Sequence, residues 1–422
     1  MQAISSETRQ GAQPLPELNW PAGEYAAVPY QVYLDPAIYE AEQTKLFRGP
    51  VWHPLGLAME VPNPGDFKTT WIGDTPILLI RDEAGQLNAF INRCAHRGTT
   101  LCYEPSGNRK VLSCVYHNWC FDLQGNLKSV AFQHGIRRQG GLPQDFCMGD
   151  HGLTRLRVGQ VAELVFASFS AEAPALEEYL GEVMIRHMHR IFNRPMQILG
   201  TYSQYMKNNW KLYMENVKDS YHASLLHTFF TTFKLNRLTM EGGLVLDETG
   251  GHHISFSKVA SEDANDKTYD NAELRAQKND FDLHDRALLK TFPEFDDGIT
   301  HAIQGIFPNL IVQQIQNSLA VRILVPRAVD ECELYWILLG YADDDADKRQ
   351  MRVRQSNLVG PAGLVSMEDG IIGSLVQRAV RREGEASTVL QMGGRSVENQ
   401  KSRVSEASVR GFWKAYRGIM QI

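Results

Sequence analysis

The chain has 422 residues, of which 43% are hydrophobic and 22% charged, as is ordinary for a globular protein large enough for two or three domains. A net charge of -6 argues against a nucleic-acid partner, because such proteins present a basic surface. No apolar run approaches the length of about 18 residues that a membrane span needs, and the first residues lack a signal-peptide pattern, so we expect a cytoplasmic protein. Six cysteines do not form a disulfide scaffold in a chain this long, and a close Cys/His cluster would instead indicate metal binding.

The predicted elements divide the chain into three parts with an α+β fold. Residues 1–49 predict an irregular arm and then a helix over 35–47, which Asp35 caps and Pro36 begins. Residues 50–170 predict a β-rich domain, with strands over 75–80 and 87–91 and a hairpin over 121–127. Residues 171–422 predict a larger domain, with helices over 176–191, 208–230, 369–382 and 405–420 and strands over 310–315 and 319–325.

Two short Cys/His pairs lie in the β-rich domain. Cys94 and His96 are separated by one residue, seventeen residues follow, and Cys114 and His117 are separated by two. Two loops that each offer one thiolate and one imidazole match a Rieske [2Fe–2S] centre, in which two Cys bind one iron and two His bind the other. Structural zinc sites favour two Cys separated by a few residues, but a zinc-stabilised module that only binds a partner stays open at this point. A c-type haem is excluded because Tyr116 stands where that motif requires Cys.

A second group of candidate ligands lies in the predicted helix over 208–230. Asp219, His222 and His227 offer two imidazoles and one carboxylate, which is the facial ligand set of non-haem Fe(II) enzymes. The two histidines are five residues apart and would point in different directions on a straight helix, so joint ligation requires a π-bulge or a helix break. Asp219 lies on the same face as His222 and could bind the ring nitrogen that does not hold the metal. Taken alone, the histidines are also compatible with the polar face of an amphipathic helix.

Together these motifs resemble the α (large) subunits of Rieske non-haem iron aromatic ring-hydroxylating oxygenases, over residues 28–420. The motifs are Cys-x-His-Arg-Gly at 94–98, Cys-x-x-His with a following Trp at 114–119, Asp-x-x-His-x4-His at 219–227 and the run ending in Met-Glu-Asp at 360–369. The second loop of the family usually reads Cys-Pro-x-His-Gly-Trp. Here Val115 and Asn118 replace the Pro and the Gly, while the candidate ligands are intact.

The resemblance implies two metal centres and a fold. The [2Fe–2S] ligands would be Cys94, His96, Cys114 and His117. The mononuclear Fe(II) would be bound by His222, His227 and Asp369, although spacing alone does not select Asp369 over Glu368 or Asp219. Asp219 would be a catalytic residue that connects the iron site to the Rieske histidine of a neighbouring subunit. The implied fold is a β-rich Rieske domain before a larger catalytic domain, whose antiparallel sheet is flanked by helices and carries the N-terminal arm.

Within this family, the segments 208–235 and 250–253 resemble the large subunits of terephthalate dioxygenases and of related enzymes that act on anthranilate, salicylate and 2-halobenzoates. All of these substrates are aromatic carboxylates. Independently, Arg322 lies inside the apolar run 319–325, and a buried Arg needs a partner that a substrate carboxylate could provide. A structural ion pair or an exposed edge position would explain Arg322 equally well. Arg403 resembles a second carboxylate-binding Arg, although by itself it predicts an exposed loop residue.

The sequence predicts a terminal oxygenase that depends on other proteins. No Gly-x-Gly-x-x-Gly motif follows a predicted strand, so a separate reductase would oxidise NAD(P)H and pass on electrons, with or without a ferredoxin. The resemblance implies that O2 and these electrons (di)hydroxylate a terephthalate-type carboxylate, or alternatively a 2-substituted benzoate such as salicylate, anthranilate or a 2-halobenzoate. It also implies an α3 or α3β3 oligomer, the latter with a small β subunit. A Rieske electron carrier without catalysis would not need the second set of candidate ligands.

Overall fold

The computed structural model describes residues 15–258, 268–269 and 281–422, so the first fourteen residues of the predicted arm lie outside the described chain. Two helices come first, α1 (Gln31–Leu34) and α2 (Pro36–Lys45). Helix α2 begins as predicted. The Asp35 side chain accepts a hydrogen bond from the amide of Ala37 at 2.8 Å, and Pro36 occupies the first helical position.

The β-rich domain follows α2 and is made of short antiparallel strands. They are β1 (His53–Leu57), β2 (Asp66–Ile72), β3 (Thr75–Arg81), β4 (Leu87–Ile91), β5 (Ser106–Asn108), β6 (Leu112–Ser113), β7 (Cys120–Phe121), β8 (Leu127–Ser129), β9 (Arg157–Val161) and β10 (Leu164–Ser168). They form three sheets, in the orders β1-β10-β9, β4-β3-β2-β5 and β6-β7-β8. Gly125 makes the predicted hairpin turn with φ +82°, and a side chain there would collide with the ring of Phe90.

Two loops of this domain have the same backbone hydrogen bonds. In the loop over 94–99, the amide of the first residue donates to the carbonyl of the sixth at 2.8 Å, and its carbonyl accepts from the amide of the fifth at 3.1 Å. The loop over 114–119 repeats both bonds at 2.9 Å. The fifth residues are Gly98, with φ +76°, and Asn118, with φ +52°. Asn enters this left-handed region more readily than other residues with a side chain, which explains how it replaces glycine in the second loop.

The larger domain is built on a seven-stranded antiparallel sheet. Its strands are β11 (Met196–Met206), β12 (Gly242–Leu246), β13 (His253–Lys258), β14 (Ile299–Ile306), β15 (Leu310–Ile315), β16 (Ser318–Ala328) and β17 (Glu331–Tyr341). They are ordered β11-β17-β16-β15-β14-β13-β12. The predicted strand over 310–315 is β15, and the strand predicted over 319–325 lies within β16.

Helices flank this sheet, which confirms the predicted α+β architecture. They are α3 (Leu176–Leu180), α4 (Glu182–Ile191), α5 (Trp210–Lys218), α6 (Ala223–Leu226), α7 (Thr228–Thr232), α8 (Ala346–Val359), α9 (Leu364–Ala379) and α10 (Ala407–Met420). Short 3-10 turns occur at Ala58–Glu60, Met148–His151 and Arg286–Leu289. No helix among the described residues is both long and apolar enough to cross a bilayer.

The two faces of the large sheet pack against different helices. On one face, Val321 of β16 shares a hydrophobic cluster with Met184 of α4. On the other face, Ala320 of the same strand shares a cluster with Trp210 of α5. Because side chains alternate along a strand, Arg322 lies on the face of Ala320, toward α5.

Helix α2 packs against the larger domain through a buried carboxylate. Glu42 accepts hydrogen bonds from the Lys211 ammonium at 2.5 Å, the Trp210 indole at 2.8 Å and the Tyr416 hydroxyl at 2.5 Å. Both members of the Glu42–Lys211 ion pair are inaccessible to solvent. These bonds join α2 to the first turn of α5 and to α10.

Two helices predicted as continuous are interrupted. The helix over 176–191 breaks at Gly181, which has φ +74° and separates α3 from α4. The helix over 208–230 is replaced by α5, α6 and α7. Each break redirects the chain, and the second set of breaks positions the candidate ligands.

The loop over 114–119 yields a stability prediction. We expect Asn118→Gly to preserve stability and Asn118→Val to lower the free energy of unfolding by about 1–2 kcal/mol, because a β-branched residue incurs the full cost of the left-handed conformation. Thermal unfolding monitored by circular dichroism measures the difference, with Val115→Ala in the same loop as a control at ordinary φ. Equal stability of the Asn118→Gly and Asn118→Val proteins would contradict this account.

Candidate metal centres and substrate pocket

The two matched loops bring the predicted cluster residues together at the edge of the β-rich domain. Cys94 and Cys114 are buried, and burial raises the pKa of the Cys94 thiol. The rings of His96 and His117 lie 4.6 Å apart between centroids, and His96 is exposed. Trp119 stacks flat on His96 at 4.7 Å, which holds that ring in place. Two inner thiols and two outer imidazoles are the donors that a Rieske cluster requires, so these residues fit the group.

The other cysteines of this domain lie outside the two loops that offer ligands. Cys102 is buried, as is common for a free cysteine, which behaves as a small hydrophobic residue. Cys120 is only partly buried, with its sulfur 3.3 Å from the Ser113 hydroxyl.

Two breaks in the helical segment place both histidines of the second centre. Helix α5 ends at Asp219, which has extended backbone angles, and His227 separates α6 from α7 with a non-helical ψ of 74°. The single-turn helix α6 lies between the histidines, with His222 immediately before it. The break that the five-residue spacing requires is therefore present, and the continuous helix predicted over 208–230 is wrong.

His222, His227 and Asp369 converge on one point. One candidate ligand atom of each lies within 4.8 Å of the other two. The Asp369 Oδ1 atom is 3.6 Å from Nε2 of His222 and 3.3 Å from Nε2 of His227. Two imidazoles and one carboxylate are the facial donor set of mononuclear non-haem iron, so these residues fit that metal.

The outer nitrogens of both histidines contact other carboxylates. Glu368 Oε2 lies 2.7 Å from Nδ1 of His227, and Asp219 Oδ2 lies 3.3 Å from Nδ1 of His222. Such contacts orient an imidazole whose other nitrogen binds a metal. Of the three carboxylates that spacing left open as the third ligand, Asp369 alone faces both Nε2 atoms.

The electrostatics of this centre favour a cation. Burial lowers the pKa of His222, but the carboxylates of Asp219 and Asp369 outweigh burial and raise that pKa to about 10. Burial also opposes ionisation of Asp369, and the two neighbouring imidazoles nevertheless hold its pKa well below the usual range. An ionised carboxylate beside two imidazoles attracts positive charge, which a metal ion supplies when it displaces the imidazole protons.

The same three residues line a pocket, and Arg322 lines it as well. Arg322 is buried on an internal strand, which rules out the exposed edge position. Its Nη1 donates to the Tyr213 hydroxyl at 3.0 Å, its guanidinium lies 4.9 Å from the centre of the Trp336 ring, and its Nε has no partner among the described residues. No carboxylate in the described ranges forms an ion pair with Arg322, so the structural salt bridge is not found there either.

Arg403 also lines the pocket and is buried, whereas its sequence context alone predicts an exposed residue. Nη1 donates to the side-chain oxygen of Asn236 at 2.6 Å, Nη2 donates to the carbonyl of Arg237, and Nε has no partner in the part of the chain that the structure describes. Burial lowers the pKa of Arg403 to about 10. The terminal nitrogens of Arg403 are therefore more occupied than those of Arg322.

Several polar residues of the site were not predicted from the sequence. Asn216 donates to Asp369 Oδ1 at 3.3 Å. Ser257, His301 and Gln313 line the pocket and have buried polar atoms that find no partner among the described residues. Gln313 could have been identified from the sequence, because it is a polar residue inside an apolar strand, as Arg322 is. The roles of Ser257 and His301 depend on which strands the sheet brings together.

Two family models match the chain. Residues 51–139 match the Rieske [2Fe-2S] domain, and residues 177–422 match the ring hydroxylating alpha subunit (catalytic domain). These matches confirm the predicted cofactors, a [2Fe–2S] cluster and a mononuclear iron, and exclude the zinc module and the electron carrier without catalysis.

Similar proteins extend over almost the whole chain. It is 47% identical to the alpha 2 subunit of the terminal oxygenase component of terephthalate 1,2-dioxygenase from Comamonas sp, over 96% of this chain and 97% of that protein. It is 43% identical to the large subunit of anthranilate 1,2-dioxygenase from Burkholderia cepacia, over 96% of each. The structure of naphthalene 1,2-dioxygenase from Rhodococcus sp. has the same fold, with a TM-score of 0.78 at 19% identity over 93% of this chain and 94% of that one. The chain is therefore an α subunit of the Rieske non-haem iron aromatic ring-hydroxylating dioxygenase family.

Proposed function

We propose that this terminal oxygenase subunit hydroxylates a single-ring aromatic carboxylate of the terephthalate type. The observation that carries the proposal is the buried Arg322 guanidinium, which lines the pocket of the iron site and has no anionic partner in the described ranges. A buried cation is costly unless it is paired, and a carboxylate pairs with Arg through two parallel hydrogen bonds. The terephthalate and anthranilate enzymes at 47% and 43% identity support an aromatic acid.

Each predicted ligand has a role in one of the two proposed metal centres. The [2Fe–2S] cluster would be held by Cys94, His96, Cys114 and His117. The mononuclear iron would be held by His222, His227 and Asp369. When bound, the cluster supplies single electrons and the iron supplies O2 activation. Glu368 and Asp219 keep the two imidazoles in their ligating orientation through Nδ1.

Arg322 orients the substrate relative to the triad. Its contacts with Tyr213 and Trp336 fix the guanidinium plane and leave the Nε edge for the ligand. A carboxylate held at this edge fixes which carbons of the ring face the iron site. Such positioning, rather than proton transfer by a side chain, is the contribution of the pocket to the rate.

The proposal includes partner proteins. A separate NAD(P)H-dependent reductase delivers electrons, directly or through a ferredoxin, because this sequence lacks a dinucleotide-binding motif. The subunit assembles as α3 or α3β3 in the cytoplasm. The side chain of Asp219 is 23% exposed while one oxygen contacts His222, and His96 is exposed in the other domain. Asp219 and His96, the two ends of the proposed electron path between neighbouring subunits, are therefore both at least partly accessible.

A 2-substituted benzoate is the second candidate substrate. Both terminal nitrogens of Arg403 already donate to protein oxygens, which favours a ligand with one carboxylate at Arg322. Salicylate, anthranilate and 2-halobenzoates have this character.

The iron site yields the first functional prediction. Asp369→Ala should remove the mononuclear iron and leave the cluster, because Asp369 alone among the candidate carboxylates faces both Nε2 atoms. Glu368→Gln is the matched control on the same helix, and it should keep the iron with affinity lowered roughly 10–100-fold, as expected for a residue that orients a ligand. Iron analysis together with the cluster absorption measures both. Full iron in Asp369→Ala would show that the third ligand lies elsewhere.

The carboxylate proposal is tested at Arg322. Arg322→Ala should weaken the binding of aromatic acids by roughly ten- to a hundredfold, because a buried charged hydrogen bond is lost. The binding of a neutral aromatic substrate should be nearly unchanged. Arg322→Lys keeps the charge without the planar fork and should recover only part of the loss. Steady-state turnover of benzoate, terephthalate and toluene gives the comparison. Equal losses for acids and toluene would make Arg322 a structural residue.

The same substrates separate the two candidate functions. If the diacid is the substrate, Arg403→Ala should lower the turnover of terephthalate more than that of benzoate. If a 2-substituted benzoate is the substrate, Arg403→Ala should have almost no effect on turnover. Turnover of terephthalate and benzoate by this variant, with anthranilate added as a 2-substituted benzoate, decides between them.

The inter-subunit path is tested at Asp219. Asp219→Asn should retain the cluster and bind the iron with affinity lowered roughly 10–100-fold, as expected for a residue that orients a ligand, and it should lose turnover even when the iron site is fully loaded. Metal analysis, single-turnover kinetics and the mass in solution are measured together. A fully active monomer would refute the path between subunits.

A further inference from the structure

One face of the catalytic sheet carries a row of polar side chains across four strands. Ser257 of β13 and His301 of β14 are direct register partners. Gln313 of β15 is the diagonal neighbour of His301, because it lies two residues before the partner of His301. Arg322 of β16 pairs with Ile311 and is therefore the diagonal neighbour of Gln313. Direct partners lie about 5 Å apart and diagonal neighbours about 7–8 Å apart, so the four side chains follow one another on one face.

The three neutral members of this row are buried and unsatisfied. Ser257, His301 and Gln313 are 0%, 5% and 1% exposed. Within the described ranges, the Ser257 hydroxyl, His301 Nε2 and Gln313 Nε2 have no hydrogen-bond partner, and all three residues line the pocket that contains the iron site. Buried polar atoms without partners are costly, so adjacent ones facing a shared pocket indicate a ligand that satisfies them.

The row leads from one arginine to the other. Gly242 pairs with Ser257, and a Cβ atom at Gly242 would lie 3.2 Å from Arg403 Nε. Arg403 therefore lies beyond the Ser257 end, and Arg322 forms the opposite end. A substituent ortho to a carboxylate held by Arg322 stays beside that carboxylate. A para substituent projects away from Arg322, along the row toward Ser257.

We propose that Ser257, His301 and Gln313 form a second polar subsite, which binds a hydrogen-bonding group on the side of the ring opposite the carboxylate held by Arg322, as in a para-dicarboxylate. This inference rests on the proposed function, because it takes Arg322 as the anchor of the first carboxylate. It selects the terephthalate type over the 2-substituted benzoates, and it assigns the recognition of the second group to neutral side chains as well as to Arg403.

Gln313→Met tests the subsite, and Gln314→Met is its matched control. The two glutamines are adjacent in β15 and equally buried, but Gln314 donates to the carbonyl of Ile299 at 2.9 Å and does not line the pocket. Binding of terephthalate and of benzoate to the purified holoenzyme is measured by titration calorimetry. Gln313→Met should lower the affinity for terephthalate about tenfold and keep the affinity for benzoate within about twofold of that of the native enzyme. Gln314→Met should leave the ratio of the two affinities unchanged.

Ser257→Ala is a second variant that removes only a hydroxyl and therefore keeps the packing of the sheet. It should lower the affinity for terephthalate and not for benzoate, and the loss should be smaller than the loss in Gln313→Met. Equal losses for both acids, or unchanged terephthalate binding in both variants, would overturn the subsite and leave the carboxylate function intact. A native enzyme that binds benzoate but not terephthalate would also overturn it. A native enzyme that binds neither acid would overturn the proposed function itself.

Discussion

The buried carboxylate of Glu42 holds the element from which the iron site is built. It accepts hydrogen bonds from Trp210 and Lys211 in the first turn of α5 and from Tyr416 of α10. A buried ion pair is tolerated only when its remaining hydrogen-bonding capacity is satisfied, and here three donors meet one carboxylate. The position of α5 therefore depends on the N-terminal helix α2. Since α5 ends at Asp219, this contact also determines where the segment with the first histidine begins.

Features determined by local chemistry could be predicted from the sequence. The Asp35 cap, the buried strand β15 and the two Cys/His loops each depend on neighbouring residues, and each was predicted where the structure has it. The breaks at Asp219 and His227 could not be located in this way, because helical periodicity continues through them. The spacing of the histidines showed that a break was needed, but its place depends on the distant residue Asp369, toward which both rings turn.

The third ligand illustrates a second limit of sequence reasoning. Glu368 and Asp369 are adjacent on α9, so their side chains point about 100° apart around the helix axis. Which of them faces the histidines depends on how α9 is rotated against α5, and that rotation results from packing between residues far apart in the chain. Arg403 is a similar case. The residues before it in the sequence, Lys401 and Ser402, are polar, and its burial comes from Asn236 and the chain around it.

The alternation of side chains in β15 separates two tasks at neighbouring positions. Gln313 lines the pocket, while Gln314 binds the carbonyl of Ile299 and accepts from Arg190 on the far face. Substitutions at Gln313 and at the other pocket-lining positions of the central strands therefore alter the surface that a substrate meets and leave the packing on the opposite face of the sheet in place. A change of substrate range is then possible by a few replacements on one face, at little cost to folding. The sheet in this way lets an oxygenase of this family diversify in the compounds it degrades while its metal centres and core are maintained.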